Sequence, residues 1–449
     1  MDQVIFFTTL LALLALLLGT GVWIGVALVT LAAIAIEVFA SRSAGLPIIT
    51  TMWSSSSSWM LSSLPMFVWM GDILFRTRLS EDLFKGLAPL MGRLPGGLLH
   101  TNVMGCTIFG SVSGSSVATL TTVAQMTVPE LKKRNYPERM IIGTLAGPAT
   151  LGLMIPPSII MVVYGAMTNE SISAISIAGI IPGLVLAAFF TIYVAVSSSL
   201  AKDYHPDPEP VTTWREKIYA LRHLIPVHIL LALVLGTMFI GFATATEAAA
   251  LGVAGALGLA WWQRTLTFAI FIESLMSATC TSAMITFILM AGSAMSLAMG
   301  YTGLPHMLAD WVGSLHLSAF ALLMVLLLLY TVLGGFLDGI SCVALTIPLI
   351  EPMVRAAGID MVWFGIFVVL VVEKAQITPP IGFNLFVLQG MTGHNIFKIA
   401  AWSFPMYLIM LFMVFLMAHS CLIKRVAKPV SFALAAMSRV LGTKSSQKP

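Results

Sequence analysis

The sequence predicts an all-α polytopic membrane protein built from two related halves. Three observations lead to this fold class. Only 9% of the 449 residues are charged and 58% are hydrophobic, whereas about a quarter of a soluble domain is charged. Long apolar runs follow one another along most of the chain, and the two Pro-Pro pairs stand at matching places in its two halves.

The same composition excludes several classes of protein. A net charge of +4 without a basic cluster interleaved with aromatics argues against a nucleic-acid partner. The four cysteines are isolated and lack metal-binding spacing. Membrane lipid is therefore the expected surrounding, and no resident metal or other cofactor is expected.

A membrane-spanning helix needs about 20 mostly apolar residues. The single polar insertion is segment 201–222, which divides the chain near its middle. The apolar runs lie near residues 4–19, 20–40, 57–75, 138–168, 174–200, 223–242, 244–262, 268–299, 316–333, 360–391 and 396–423.

The two halves share features at a nearly constant offset, which predicts an internal duplication. Inverted duplications of this kind are typical of secondary transporters, whose binding sites lie where the repeats meet. The matched features are Pro156-Pro157 with Pro379-Pro380 (379 − 156 = 223), Gly110 with Gly334 (224), Gly71 with Gly292 (221), and Met167 with Met391 (224).

Basic residues predict the orientation, because cytoplasmic loops carry an excess of Lys and Arg. Segments 76–93, 132–139 and 201–222 are basic and are placed in the cytoplasm. Asn169–Ser173, segment 301–315 and the turn Arg355–Asp360 are then expected to face outward. The basic tail does not fit an outward C-terminus, so its side stays open.

Gly96–Val128 is predicted to form a re-entrant hairpin, hairpin 1. Two short apolar arms flank a tip of glycines and serines at Gly110–Ser116, and both flanks are basic. Irregular backbone at membrane depth is tolerated only where protein or a water-filled cavity surrounds it. Carbonyls and hydroxyls suit a small cation, and the amides of the returning arm suit an anion. The alternative is that small residues simply permit close helix packing.

The second half has a counterpart, hairpin 2, with its tip at Gly334–Ser341. This tip contains Asp338. A carboxylate within the membrane is a functional candidate, because it is costly unless it is paired, protonated or bound to an ion. A structural partner for a nearby donor is the alternative.

Two broken helices complete the set, at Gly147–Ser158 and Glu373–Asn384. Consecutive prolines remove donors and prevent helical continuation, which leaves carbonyls of the preceding turn unpaired. Lys374, beside Glu373, is unusual in such a helix. It is expected either to pair internally or to meet Asp338 or a substrate.

These motifs resemble the large membrane subunit of tripartite ATP-independent periplasmic (TRAP) transporters. The resemblance rests on GSVSGSSVAT (Gly110–Thr119), GPATLGLMIPPS (Gly147–Ser158), the hairpin with Asp338, and EKAQITPPIGFNLF (Glu373–Phe386). It implies an inverted-repeat, elevator-type transporter with two re-entrant hairpins and two broken helices. It also implies sodium-coupled uptake of an organic acid across the bacterial inner membrane, a small four-helix membrane subunit as partner, and a periplasmic binding protein that delivers the substrate.

The resemblance further implies a division of the chain and a set of site residues. The divisions are 1–95 (scaffold), 96–200 (first-repeat transport elements), 201–300 (cytoplasmic loop and scaffold), 301–423 (second-repeat transport elements and last helix) and 424–449 (polar tail). The implied sodium ligands are Ser111, Ser113, Ser115, Ser116, Gly147 and Pro156 in one half, and Gly335, Asp338, Ser341, Thr378 and Pro379 in the other. The implied substrate contacts are Gly114, Ser115, Ser158, Gly339, Lys374 and Asn384. The family more often has Ile-Gly where this chain has Lys374-Ala375.

Two other functions compete with this prediction. A stand-alone carboxylate symporter or a channel would use the same hairpins without a binding protein. An intramembrane serine protease would need a histidine base beside Ser113 or Ser115, and the sequence pairs no histidine with either serine. No enzymatic activity is therefore expected.

Overall fold

The computed structural model describes residues 19–40, 42–77, 79–92, 94–201, 213–303, 318–379 and 382–419, with isolated residues before Gly19. The polar tail, Pro380 and most of segments 4–19 and 301–315 lie outside the described residues.

The described residues form nineteen α-helices and no strand. The first ten are α1 Ile24–Ile34, α2 Gly45–Ser56, α3 Ser63–Phe75, α4 Leu79–Met91, α5 Leu99–Ser113, α6 Ser116–Lys133, α7 Glu138–Ala146, α8 Leu151–Met154, α9 Ile159–Thr168 and α10 Ile172–Leu200. The others are α11 Trp214–Leu221, α12 Ile225–Phe239, α13 Ala245–Trp262, α14 Phe268–Thr302, α15 Ala319–Gly334, α16 Gly339–Ala356, α17 Met361–Ala375, α18 Phe383–Thr392 and α19 Ile396–His419.

Fewer uninterrupted spans occur than the eleven apolar runs suggest. Among the described residues, four helices are long and apolar enough to cross a membrane, namely α10, α14, α16 and α19. The number rises to seven if each of three bent helix pairs counts as one span. Glu138–Met154 and Ile159–Thr168, for example, meet at 41°. Bends of 41° to 53° separate short helices in three apolar stretches, and most of the run 4–19 lies outside the described residues.

Part of the polar insertion is helical, which the sequence prediction of a loop missed. Thr213 and Glu216 form a capping box at the start of α11, which satisfies amide groups that a helix start leaves free. This helix packs on α4. His223, just beyond its end, lies 3.2 Å from Asp82 of α4.

The predicted duplication corresponds to two similar sets of helices. Hairpin 1 consists of α5 and α6, and broken helix 1 consists of α7, α8 and α9. Hairpin 2 consists of α15 and α16, and broken helix 2 consists of α17 and α18. In each set, the first arm of the hairpin crosses the broken helix at a pair of small residues.

The two crossings stand at matching places in the two halves. A Cβ at Gly110 would lie 2.6 Å from Cα of Gly152, and a Cβ at Gly334 would lie 2.5 Å from Cβ of Ala375. Gly110 and Gly334 are 224 residues apart, and Gly152 and Ala375 are 223 apart (375 − 152). Close approach of two helices requires small residues at the crossing. Both halves therefore use the same packing solution.

The remaining central helices form a second group beside these sets. Helix α13 packs on α3, and α14 packs on α1, α2 and α3. Two matched glycines connect this group to the hairpins. A Cβ at Gly71 of α3 would lie 3.0 Å from the carbonyl oxygen of Ser113, and a Cβ at Gly292 of α14 would lie 3.2 Å from that of Ala344.

Ion pairs join several of the segments between helices. Arg355, in a turn expected to face outward, lies 3.3 Å from Glu170, in another such segment. At the other end, Glu138 pairs with Lys132 and lies 3.0 Å from His394. The contact between Arg355 and Glu170 joins two segments that were expected to face the same side, and the orientation itself stays a prediction.

Candidate ion and substrate site

The tip of hairpin 1 is shorter than the sequence predicts. Helix α5 continues to Ser113, so only Gly114 and Ser115 lie outside the two arms. The prediction of irregular backbone from Gly110 was wrong because hydroxyls within a helix can bond to their own backbone. Ser111 illustrates this, since its hydroxyl donates to the carbonyl of Ile108 at 2.7 Å. Gly114 ends the helix with φ of +62°, a conformation that glycine adopts without strain.

Three oxygen atoms meet at this tip. The hydroxyls of Ser113 and Thr119 are 2.8 Å apart. The carbonyl of Ser115 accepts from Thr119 at 2.7 Å and from Ser113 at 3.3 Å. Hard oxygen ligands of this kind suit small cations. The sequence prediction included the two serines and missed Thr119, although Thr119 lies within the quoted GSVSGSSVAT motif.

The break in broken helix 1 lies directly against this tip. A Cβ at Gly114 would be 2.7 Å from the carbonyl oxygen of Pro157, so only glycine fits there. Pro156 lies within the break and is joined to Pro157 by a cis peptide bond. Ser158 is buried and caps α9, its hydroxyl accepting from the amide of Met161 at 3.5 Å. Carbonyl and hydroxyl groups of two elements therefore converge near Gly114.

Gly147, another predicted ligand, does not join this cluster through its carbonyl. That oxygen accepts from the amide of Thr150 at 2.9 Å and from its hydroxyl at 2.8 Å. A Cβ at Gly147 would lie 2.6 Å from Cβ of Met406. Gly147 thus serves close packing between α7 and α19 in this structure.

The tip of hairpin 2 is organised by Asp338. Its carboxylate caps α16, accepting from the amides of Ile340 at 3.1 Å and Ser341 at 3.3 Å. The hydroxyl of Ser341 donates to the other carboxylate oxygen. Gly335 follows the end of α15. These contacts place three of the predicted ligands at one tip.

A cavity of about 1340 Å³ opens onto the tip of hairpin 2. Asp338 and Ser341 form part of its wall, and the rest is mainly apolar side chains from α14, from hairpin 2 and from the segment that leads into α1, including Phe287, Phe336 and Trp23. The carboxylate therefore lies at the boundary between hairpin 2 and the α1–α3, α13–α14 group.

Broken helix 2 is interrupted from Gln376 to Pro379, between α17 and α18. The hydroxyl of Thr378 donates to the carbonyl of Lys374 at 3.0 Å, and Pro379 is exposed. The amide of Asn384 donates to the carbonyl of Gln376 at 3.2 Å, which joins the two halves across the break. The side chain of Asn384 is fully buried and its Nδ2 lies 3.5 Å from the carbonyl of Ala146.

Lys374 and Glu373 are both buried, and they do not pair with each other. The ammonium of Lys374 donates to the hydroxyl of Thr331 at 2.7 Å and lies 5.2 Å from the ring centre of Tyr407. Neither carboxyl oxygen of Glu373 has a hydrogen-bond partner in the described part of the chain. The structure therefore directs Lys374 toward α15 and α19, and its predicted substrate contact stays a prediction.

A side chain absent from the predicted site connects the two hairpins. Gln376 accepts a hydrogen bond at Oε1 from the hydroxyl of Ser116, the first residue of α6. Its Nε2 lies 3.0 Å from where a Cβ of Gly339, the first residue of α16, would be. Sequence reasoning missed this residue because Ser116 and Gln376 are 260 positions apart.

Comparison with known proteins identifies the family. Residues 11–423 match the family described as the tripartite ATP-independent periplasmic transporter, DctM component. The chain belongs to the DctM family. This match confirms the resemblance that the hairpin and Pro-Pro motifs indicate.

Several curated relatives of this DctM chain are named as TRAP transporter permeases. It is 28% identical over 361 residues to a C4-dicarboxylate TRAP transporter large permease protein of Pseudomonas aeruginosa, covering 80% of this chain and 84% of the relative. It is 29% identical over 339 residues to a sialic acid TRAP transporter large permease protein of Vibrio cholerae, covering 75% and 79%. The family match makes this chain a transporter component, and these relatives are named as permeases and not as enzymes.

A solved structure resembles the DctM chain in fold. The YdaH transporter of Alcanivorax borkumensis superposes with a TM-score of 0.60 at 17% sequence identity, covering 88% of this chain and 96% of that transporter. At this identity the likeness concerns the fold. It supports the all-helical membrane architecture.

Proposed function

We propose that this chain is the large membrane subunit of a sodium-coupled tripartite system that takes up an organic acid across the bacterial inner membrane. The observation that carries the proposal is the repeated core. Each half contains a hairpin whose tip bears oxygen atoms and a broken helix that packs against the first arm of that hairpin. The contacts between them are Gly110 with Gly152 and Gly334 with Ala375. Sites built from broken helices at the interface of repeats are the usual arrangement in secondary transporters.

One sodium ion is assigned to hairpin 1. Ser113, Ser115 and Thr119 supply two hydroxyls and a carbonyl within 3.3 Å of one another. Pro156 lies in the adjacent break, where the carbonyl of Pro157 approaches Gly114. Sodium would replace hydrogen bonds among these oxygens. Ser111 and Ser116 support the tip from outside this set, since their hydroxyls bond to Ile108 and Gln376.

A second sodium ion is assigned to hairpin 2. Asp338 contributes the negative charge and Ser341 a hydroxyl, and Gly335 and Thr378 are proposed to contribute further oxygens. Asp338 already accepts two backbone amides, so the ion would share an ordered carboxylate and would not have to order it. The bound charge favours a carboxylate substrate nearby, at Gly114, Ser158, Gly339 or Asn384.

Movement of the core against the other helices would carry the load across the membrane. The core comprises the hairpins and broken helices, and the scaffold comprises α1–α3 and α12–α14. At Gly71 and Gly292 the scaffold helices lie close to the backbone of the core. Because these residues have no side chain, they offer little steric resistance when the core slides along the scaffold. Coupling requires only that sodium and substrate bind the conformations with different affinity.

Two partners belong to the proposal. The relatives named as TRAP large permeases support a small membrane subunit beside the scaffold and a periplasmic binding protein that delivers the acid. Their named substrates, C4-dicarboxylate and sialic acid, are both carboxylates, which supports the substrate class and leaves the individual acid to experiment.

Reconstitution tests the proposal. The chain would be co-purified with its small subunit, placed in liposomes, and supplied with binding protein and radiolabelled succinate or N-acetylneuraminate. We expect uptake of a carboxylate only when all three components are present. Failure to transport any carboxylate would refute the substrate class.

The stand-alone carboxylate symporter is the alternative function. The complete set of two hairpins and two broken helices within one chain favours it, because such a core could bind an acid directly. Uptake by the chain alone, at a rate that neither partner changes, would establish this alternative and exclude the tripartite one.

A further inference from the structure

We propose that Gln376 is a positioning residue that links the two hairpin tips, so that sodium bound at hairpin 1 strengthens sodium binding at hairpin 2. This inference rests on the proposed sodium coupling. It assigns a role to a residue outside the set of ligands and substrate contacts.

Gln376 touches four elements from one place. Its Oε1 accepts from Ser116 at the start of the returning arm of hairpin 1. Its Nε2 lies beside Gly339 at the start of the returning arm of hairpin 2. Its carbonyl accepts from the amide of Asn384, and its own amide donates to the carbonyl of Val372 at 3.2 Å. The residue therefore joins both hairpins and both halves of broken helix 2.

The surroundings of Gln376 leave it little freedom to reorient. The residue is 6% exposed. A Cβ at Gly339 would lie 2.6 Å from Ile160, 2.8 Å from Val372 and 3.0 Å from Nε2. A Cβ at Gly382 would lie 2.8 Å from the carbonyl of Gln376. Because the packing is this close, a movement of Ser116 moves the Gln376 side chain against the start of α16. The start of α16 must then either move as well or resist the movement.

The link connects to both oxygen clusters through short stretches of backbone. Ser116 follows Ser115, whose carbonyl belongs to the cluster of hairpin 1. Gly339 follows Asp338, whose carboxylate organises hairpin 2. Ordering one tip around an ion therefore fixes the hydroxyl that holds Gln376, and Gln376 in turn fixes the backbone next to Asp338. A second ion would then bind to a tip that is already ordered, which gives positive cooperativity.

The first half lacks an equivalent residue. Applying the offset of the Pro-Pro pairs to Gln376 gives Leu153 (376 − 223 = 153), a buried apolar side chain. The duplication therefore supplies two tips but only one polar link in this position. The asymmetry indicates that the contact is not a general requirement of the fold.

Sodium activation of uptake tests the link. Gln376→Met keeps the length of the side chain and removes both amide atoms, and Ser116→Ala removes the hydroxyl. We expect wild type to show a Hill coefficient above one for sodium, and each variant to move it toward one. The sodium concentration for half-maximal uptake should rise by about threefold to tenfold, the range expected for one buried neutral hydrogen bond.

The double variant and a control separate this role from general destabilisation. If the two side chains act through one bond, Ser116→Ala with Gln376→Met should have no larger effect than either change alone. Gln389→Met, on α18 and away from both tips, should leave the Hill coefficient unchanged. Additive effects, or an unchanged Hill coefficient in Gln376→Met, would overturn the link while leaving sodium coupling intact.

A failure of the proposed function would look different. Wild type would then show no sodium activation at all, and the link would fall with it. A wild-type Hill coefficient of one would refute cooperativity between the tips even if sodium drives uptake.

Discussion

Replacing Gly334 by alanine should disrupt the crossing between hairpin 2 and broken helix 2, and replacing Ala375 by glycine in the same chain should restore it. The Cβ of the new alanine would lie 2.5 Å from the Cβ of Ala375, well inside the 3.4 Å at which ordinary contacts begin. The next nearest atom, Cα of Ala375, is 3.9 Å away. The methyl of Ala375 is thus the only obstacle within 3.4 Å among the described residues, and removing it makes room.

The expected magnitudes follow from this geometry. Forcing a methyl group into a packed contact costs about 1–3 kcal/mol. Glycine within a helix costs about 0.5–1 kcal/mol relative to alanine, and the double variant only moves the glycine from one helix to the other. Its stability should therefore lie within about 1 kcal/mol of the parent.

Hairpin 1 offers a matched contrast. A Cβ at Gly110 would meet Cα of Gly152 at 2.6 Å and its amide nitrogen at 2.8 Å. Both are backbone atoms, so no substitution at Gly152 can make room. Gly110→Ala should therefore destabilise the chain without any rescue at that position.

The assay is thermal unfolding of the detergent-solubilised protein, combined with uptake by the reconstituted complex. Unfolding of a membrane protein is often irreversible, so variants are compared at one heating rate. Gly258→Ala on α13 is the control, because nothing lies within 4 Å of an added Cβ there. Close packing at this crossing would be refuted if the Gly334→Ala protein were as stable and active as wild type. It would also be refuted if the double variant were no more stable than Gly334→Ala alone.

Three further predictions concern the tips and one outer ion pair. Thr119→Val should weaken sodium activation by about tenfold, because it removes a buried hydroxyl from the oxygen cluster at a cost of about 1–3 kcal/mol; unchanged sodium dependence would exclude Thr119 as a ligand. Asp338→Asn should lose most sodium activation yet fold normally, since asparagine also caps helices well; circular dichroism and sodium titration of uptake measure the two effects, and normal titration would contradict the assignment. Glu170→Gln should change stability by less than about 1 kcal/mol, because Arg355 is half exposed and keeps Glu351 as a partner; a large loss of thermal stability would show that the outer pair matters more.

The sequence predicted the helix break at Pro156-Pro157, because its cause is local. Consecutive prolines at Pro156-Pro157 end a helix wherever they stand, and Gly114 supplies a backbone conformation that other residues adopt with strain. The two helix crossings also follow the nearly constant offset between the halves. Gly152 and Ala375 are 223 positions apart, as the Pro-Pro pairs are.

Other features could not be predicted because they depend on contacts distant in sequence. Serine and threonine suggested an irregular tip, yet the hydroxyl of Ser111 is satisfied within α5, and the helix continues. The bond between Ser116 and Gln376 forms only after both halves have packed together. Lys374 was expected near charge, and the structure instead places its ammonium over an aromatic ring and beside a hydroxyl.

Sodium-driven uptake tests the central claim most directly. Proteoliposomes containing the complex would receive labelled substrate with binding protein outside, and an inward sodium gradient would be compared with an equal potassium gradient. We expect accumulation of the acid with sodium and none with potassium, and loss of that accumulation in Asp338→Asn. Equal uptake in both gradients would contradict the account.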